Sequence, residues 1–291
     1  MSKISQRGRW MTAAAVAAGA VAVAAATLGV GAGQSLADTV PGAHAHQPAK
    51  ETTWVELAPM PHGTVRFDRD GSGTVDATPN VFGLTPGSSH TVELVDRGGQ
   101  PADSLGTLTA NGVGQATATF DTRYQHVSGS WRLVILNGTA ADPVSAEPIA
   151  QTQRYHSGRH AYRLTPVEVS ADGVKYGTPQ GWARVTYDPG AQTISVTVTA
   201  SGLTPGAHAA HIHVGSCAAQ GAVQYMLMDF SASASGQIVD QTRTVTNVTT
   251  PPPASGWYLN LHQGNSNNIL ANGNPTINFR PLLCGDITTQ G

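Results

Sequence analysis

The chain has 291 residues and a formal net charge of −2, and charged side chains make up 12% of it, about half the usual share. This weak, balanced charge excludes the basic surface that nucleic-acid binding requires and the polybasic patch of a membrane-surface protein. We therefore expect no nucleic-acid partner.

The first 37 residues have the layout of an export signal. Basic residues come first, a nearly uncharged run rich in Ala, Val and Gly follows from Met11 to Gln34, and a small-x-small cleavage site ends at Ala37. This pattern predicts a protein that is secreted or held in the cell envelope, with an uncleaved membrane anchor as the alternative. Residues 38–50 are predicted to be a disordered lead-in.

The rest of the chain shows β-strand patterning. Apolar and polar residues alternate with a period of two, as in TISVTVTA (193–200), and such runs end at Gly, Pro, Asn and Asp clusters. The alternation predicts an all-β chain of the sandwich or barrel type. No long segment after the signal has a helical period.

Three segments recur in the same order, which predicts two related domains. GLTPG occurs at 83–87 and 202–206, LTANGVGQATATF (108–120) resembles FSASASGQIVDQT (230–242), and SGSWRLVILNG (128–138) resembles ASGWYLNLHQG (254–264). We predict two tandem Greek-key β domains: a metal-free domain at 51–155, a linker at 156–176 and a second domain at 177–291.

The two copies differ in their histidines. Alignment on GLTPG sets Val92 against His211 and Leu94 against His213. The tryptophan match sets Leu136 against His262. Because the first copy has apolar residues at these places, the histidines are not needed to build the strands.

The second copy therefore contains a candidate metal site. Residues two apart on a strand share a face, so His211 and His213 point the same way, and His262 on a neighbouring strand is the natural third ligand. Three imidazoles suit copper, and a three-histidine zinc site is the alternative metal assignment. The competing interpretation is a trio of partly buried histidines hydrogen-bonded to carbonyl groups. His208, after the turn at 205–206, is either a structural hydrogen-bonding residue or a further ligand.

The segments around these histidines resemble a known family. GLTPGAHAAHIHVGSC (202–217) resembles the copper-site motif of the copper-zinc superoxide dismutases, and WYLNLH (257–262) resembles their later strand with another copper-binding histidine. FRPLLCGDI (279–287) resembles their C-terminal segment, which carries an active-site arginine and a cysteine. The HIH and WYLNLH stretches are also similar to the chordin-type (CHRD) domain, a β module without established catalysis.

The resemblance implies roles for individual residues. It implies copper ligands at His211, His213 and His262, a structural role for His208, and an anion-guiding role for Arg280. Arg280 lies four residues before Cys284 rather than the family's three, which would turn its side chain to the other face of a regular strand. The resemblance also implies a Cys217–Cys284 disulfide, as does the presence of only two cysteines in an exported chain.

The dismutase resemblance is incomplete on the zinc side. No histidine lies between His213 and His262, and the carboxylates there are Asp229 and Asp240. We therefore expect no family-type zinc site and no bridging imidazole. The resemblance implies a copper-dependent, zinc-free antioxidant oxidoreductase that converts superoxide to oxygen and hydrogen peroxide. The alternative is a non-catalytic CHRD module that binds extracellular partners or holds copper.

The repeat also bears on assembly. If the first domain takes the place of the partner subunit of a dimeric dismutase, the chain is a monomeric pseudo-dimer. The other expectation is a homodimer.

Overall fold

The computed structural model describes residues 49–139, 147–156, 159–171, 174–253 and 256–288. The predicted export signal and lead-in residues 38–48 lie outside them. Within the described ranges the regular secondary structure is β-strand, apart from a short 3-10 helix at Ile277–Phe279. The predicted all-β class is confirmed. No helix in the part described is long and apolar enough to cross a membrane.

The strands are numbered in chain order. They are β1 (Glu51–Pro59), β2 (His62–Arg69), β3 (Val75–Phe82), β4 (Ser89–Val95), β5 (Pro101–Thr109), β6 (Ala116–Thr117), β7 (Phe120–Asp121), β8 (Arg132–Leu136), β9 (Pro148–Thr152), β10 (Ala161–Pro166), β11 (Val169–Ala171), β12 (Val174–Gly177), β13 (Gln180–Asp188), β14 (Thr193–Ser201), β15 (Gly206–His208), β16 (Ala210–Ser216), β17 (Ala219–Met226), β18 (Phe230–Ala232), β19 (Ile238–Thr246), β20 (Trp257–His262), β21 (Leu270–Ala271), β22 (Asn274–Pro275) and β23 (Pro281–Ile287).

Two large antiparallel sheets share one strand order. The first runs β5-β4-β8-β9-β10-β2-β3-β6, with β7 also paired to β3, and the second runs β17-β16-β20-β23-β1-β13-β14-β19. Read position by position, β4 corresponds to β16, β8 to β20 and β10 to β1. The repeat seen in the sequence therefore extends to the topology of the sheets.

The first strand of the chain lies in the second sheet. β1 pairs along seven residues with β13, from Glu51 opposite Tyr187 to Leu57 opposite Gly181, and its end pairs with β23. In the first sheet the same place is taken by β10. The predicted first domain (51–155) contains β1 and the predicted linker (156–176) contains β10, so the sheets draw on residues across those predicted limits.

Each sheet has its own apolar core. Alternation places Ile194, Val196 and Val198 of β14 in the second core, and β1 contributes Val55 and Leu57 to it. The first core is built from the equivalent positions of the other sheet. A smaller apolar cluster around Tyr258 and Cys284 lies apart from the second core.

Candidate metal centre

The three predicted ligands lie together on one face of the second sheet. His211 and His213 are on β16, His262 ends the neighbouring β20, and Ile212 between the first two is buried in the core. One ring nitrogen from each of the three lies within 4.8 Å of the others. We call these residues the histidine trio. All three are buried, with relative exposures of 3%, 3% and 0%.

Hydrogen bonds orient two rings of the trio. His213 Nδ1 donates to the Gly221 carbonyl at 3.0 Å, and His262 Nδ1 donates to the Phe279 carbonyl at 2.6 Å. A carbonyl can only accept, so the protons are on these Nδ1 atoms and the lone pairs are on Nε2. His213 Nε2 is buried without a hydrogen-bond partner. A metal ion would satisfy it, and a carbonyl on the far nitrogen is the usual support of a histidine ligand.

The third ring completes the arrangement. His211 Nδ1 lies 3.1 Å from His262 Nε2. Because that Nε2 carries a lone pair, His211 Nδ1 is the donor in this contact. If the proton of His211 moved to Nε2, the lone pair on its Nδ1 would point toward the space beside His262 Nε2. Each of the three residues can therefore offer one nitrogen to a shared ion.

Aromatic side chains pack on the trio. Tyr258 stacks on His213, with ring centroids 4.9 Å apart and an interplanar angle of 17°. Phe279 packs on His262 at a centroid distance of 4.5 Å. These contacts restrict rotation of both imidazoles.

The trio is neutral at neutral pH. Burial lowers the pKa of His211 to about 4, helped by His213, and lowers the pKa of His262 to about 3, helped by His211. Burial also lowers the pKa of His213. A metal ion needs neutral imidazoles, so the trio can bind one without first losing a proton to solvent.

The donor set fits a transition metal that prefers nitrogen. Three imidazoles without a carboxylate suit copper, zinc or nickel and do not suit calcium or magnesium. The nearby carboxylate of Asp229 partly offsets the lowering of the His211 pKa. This carboxylate accepts from the backbone N–H and the hydroxyl of Ser266. Among the described residues, no second group of three His, Cys, Asp or Glu side chains could hold an ion.

His208 lies beside the trio and is bound to the backbone. Its Nδ1 is 2.9 Å from the carbonyl oxygen of His262 and its Nε2 is 2.8 Å from that of Thr204. In the first sheet, His90 Nδ1 is 2.9 Å from the equivalent carbonyl, that of Leu136. A histidine is thus present at this place in both sheets, although the trio lies on the second sheet alone among the described residues. This favours the structural role for His208 over the role of ligand.

The strand register corrects the alignment of the two copies. His211 is opposite Asn260 and His213 opposite Tyr258, whereas Glu93 is opposite Val134 and Val95 opposite Arg132. The tryptophan match equates Asn260 with Val134 and Tyr258 with Arg132, so the counterparts of the two histidines are Glu93 and Val95. The alignment with Val92 and Leu94 is wrong by one residue, because the first copy has one more residue between GLTPG and its histidine. The counterparts of the trio in the first sheet, Glu93, Val95 and Leu136, include no histidine.

Arg280 is buried outside the group of three histidines. Its Nε donates to Gln263 Oε1 at 2.9 Å, and it lines a small cavity with Glu147 and Glu168. Gln263 follows His262 directly, so on an extended backbone their side chains point to opposite sides. An anion-guiding role for Arg280 stays a prediction, and its hydrogen bond leads away from the trio.

Three residues of the site, Tyr258, Asn260 and Phe279, were not predicted from the sequence. Asn260 is fully buried between Tyr258 and His262, and neither atom of its side-chain amide has a hydrogen-bond partner. The alternation of WYLNLH puts Tyr258 and Asn260 on the face of His262, which was a usable signal. Phe279, which accepts from His262, precedes the last strand and could not be found by periodicity.

The predicted disulfide is confirmed. Cys217 and Cys284 are bonded, with their Cα atoms 5.8 Å apart. Cys284 is opposite Asn260 in the β20–β23 pair, and Cys217 follows β16. The bond therefore links the strands on either side of β20, next to the trio.

The trio is also anchored to loops between strands of the first sheet. Gly221, which accepts from His213, follows the buried Gln220. Gln220 Nε2 donates to the Leu84 carbonyl at 2.7 Å, and its backbone N–H donates to the Val113 carbonyl at 3.0 Å. Gly114 has φ +75°, and a Cβ there would come within 2.4 Å of the Gln220 amide. This contact leaves no room for a side chain at residue 114.

Fold and site together define a class: a disulfide-bonded all-β protein with a buried three-histidine centre. Residues 163–268, about a third of the chain, match the family model of the CHRD domain. The match runs from β10 to just beyond β20 and includes the whole trio. It supports the chordin-type resemblance, whereas the resemblance to the superoxide dismutases rests on the sequence motifs alone. No curated protein matches the chain.

Proposed function

We propose that this chain is an exported CHRD-type module that holds a copper ion in the histidine trio. The observation that carries the proposal is the buried, unpartnered Nε2 of His213, which lies close to ring nitrogens of His211 and His262. A buried polar atom without a partner costs about 1–3 kcal/mol. A bound ion would remove that cost.

Copper is favoured by the donor set. Sites built from nitrogen donors bind Cu(II) more tightly than the other divalent first-row metals, zinc included. The trio is buried and its three rings are neutral at pH 7, so the imidazoles can bind an ion without losing a proton. The disulfide is consistent with the oxidising environment of exported proteins.

Superoxide dismutation is the second candidate function. It is favoured by the number of ligands, since three protein ligands leave a coordination position open for a small molecule. Against it stand the burial of the trio and the absence of a bridging histidine in the sequence. Copper at the trio would supply one-electron redox chemistry, and the chain would contribute ligation and orientation.

The test is copper binding by the chain from residue 38, measured by chelator competition and by electron paramagnetic resonance of Cu(II). We expect one ion per chain with nitrogen ligands, and a loss of affinity of more than about 100-fold in His213→Ala. His126→Ala, an exposed histidine of the first domain, is the matched control and should bind as the wild type does. Equal affinity in wild type and His213→Ala would overturn the proposal.

The same samples separate the two functions. Superoxide removal by the copper-loaded chain, beyond that of free copper and lost in His213→Ala, would establish dismutation. Tight copper binding without such activity would support the copper-holding function and exclude dismutation.

A further inference from the structure

Two methionines are exposed beside the histidine trio. Of the five methionines in the chain, Met1 and Met11 lie outside the described residues and Met60 is buried. Met226 and Met228 have relative exposures of 67% and 77%. Methionine is among the residues most often buried, so two exposed ones in a single short stretch are unusual.

The strand register places Met226 next to the trio. Met226 is directly opposite His211 in the antiparallel pair β16–β17. Side chains of directly opposed residues project from the same face, with their Cβ atoms about 4.5–5.5 Å apart. The thioether of Met226 therefore stands over the side of the sheet that carries the trio.

Met228, two residues further along the chain, is exposed as well. Leu227, between the two methionines, is buried in the second core, and its N–H donates to the Ala210 carbonyl at 3.0 Å. The side chains of Met226 and Met228 are thus exposed to solvent, and the side chain of Leu227 between them points into the core. The carboxylate of Asp229, next in the chain, adds a negative charge at this edge, which favours a cation.

The chemistry of these side chains selects one ion. Thioether sulfur is a soft, neutral donor that suits Cu(I), whereas imidazole suits Cu(II), Cu(I) and Zn(II) alike. Solvent can reach the methionines, whereas the trio is buried. An ion arriving from solution at this edge therefore meets sulfur before nitrogen.

We propose that Met226 and Met228 form an outer Cu(I) site, which receives the ion at the surface and passes it to the histidine trio. This inference rests on the proposed copper-holding function. The transfer is a ligand exchange: bonds from sulfur break as bonds from ring nitrogen form. The ion stays Cu(I) and no oxidant is needed.

The test replaces the sulfur and keeps the apolar volume. The variant Met226→Leu/Met228→Leu is compared with Val223→Leu, a change at an exposed apolar residue of the same strand. Cu(I) is supplied without oxygen as its bicinchoninate complex. Uptake is followed by the loss of the colour of that complex, and the bound ion by X-ray absorption at the copper edge.

We expect sulfur ligands on the second equivalent of Cu(I) in the wild type and in Val223→Leu. The double leucine variant should show no sulfur ligands on copper, and Cu(I) should bind to its histidine trio about tenfold more slowly. Its equilibrium affinity for Cu(II) should stay unchanged, because the trio is intact. Unchanged uptake in the double leucine variant, or no sulfur ligation in the wild type, would overturn the inference.

Two further outcomes separate this inference from the proposed function. Sulfur-bound Cu(I) in a wild type that holds no copper at nitrogen would support the outer site and refute the holding function. Self-association of the chain that the leucines preserve, together with unchanged uptake, would make the methionines an apolar contact between copies and refute the outer site.

Discussion

Removal of the disulfide should cost the protein a large part of its stability. The bond joins residues 67 apart, Cys217 and Cys284. In the chain-entropy model, opening a loop of this length stabilises the unfolded state by about 4 kcal/mol at 25 °C. The total free energy of unfolding of a domain is typically only about 5–15 kcal/mol. We therefore expect Cys217→Ala/Cys284→Ala to lower the free energy of unfolding by about 4 kcal/mol.

Urea unfolding of the metal-free protein, followed by circular dichroism, measures this difference. The reduced wild type is the matched control, because it keeps both cysteine side chains and loses only the bond. Reduced wild type and double variant should both shift to a lower midpoint, and the double variant further, since Cys284 is buried against Tyr258. A shift below about 1 kcal/mol in the reduced wild type would refute the loop-entropy argument.

Three further predictions concern the second sheet. Leu57→Ala in β1 should lower the free energy of unfolding by about 2–5 kcal/mol, and the exposed Glu56→Ala by less than about 0.5 kcal/mol; equal effects in urea unfolding would contradict the buried position of Leu57. Asn260→Val, which introduces the residue found in the first copy, should stabilise the metal-free protein by about 1–3 kcal/mol, because the amide has no partner; a lower melting temperature would show that the amide is hydrogen-bonded in solution. The pKa values of the trio lie below 6.5 in the folded protein, so the unfolded chain binds more protons than the folded one at acidic pH. The metal-free protein should therefore lose stability as the pH falls below about 6.5. The loss should reach up to about 1.4 kcal/mol per pH unit for each histidine. A His211→Ala/His262→Ala variant with an unchanged dependence on pH would count against this origin.

Local patterns in the sequence were enough to predict the strands and to bring together the histidine trio. Period-two alternation fixes which side of β16 carries His211 and His213, because their separation of two residues is independent of any other strand. The disulfide was predictable for a similar reason, since two cysteines allow a single pairing within the chain.

Features that depend on pairing between distant segments were not predictable. β1 has the same alternation whichever sheet it joins, so nothing within residues 51–59 indicates that its neighbours are β13 and β23. The one-residue difference before β4 and β16 is likewise hidden, because GLTPG and the strand that follows can be aligned with or without it. Phe279 reaches the trio through a 3-10 turn, where alternation carries no information.

The place of β1 also determines when the second sheet can assemble during synthesis. Glu51 pairs with Tyr187, 136 residues later, and Ala58 pairs with Cys284, 226 residues later. At about 5–20 residues per second, the second partner follows roughly 10–45 s after β1 has been made. β13 can cover one edge of β1 once it has been made, but the edge that pairs with β23 stays open to other strands until the end of the chain is made. The first sheet, by contrast, contains every strand it needs by residue 166 and can form while the rest of the chain is still being made.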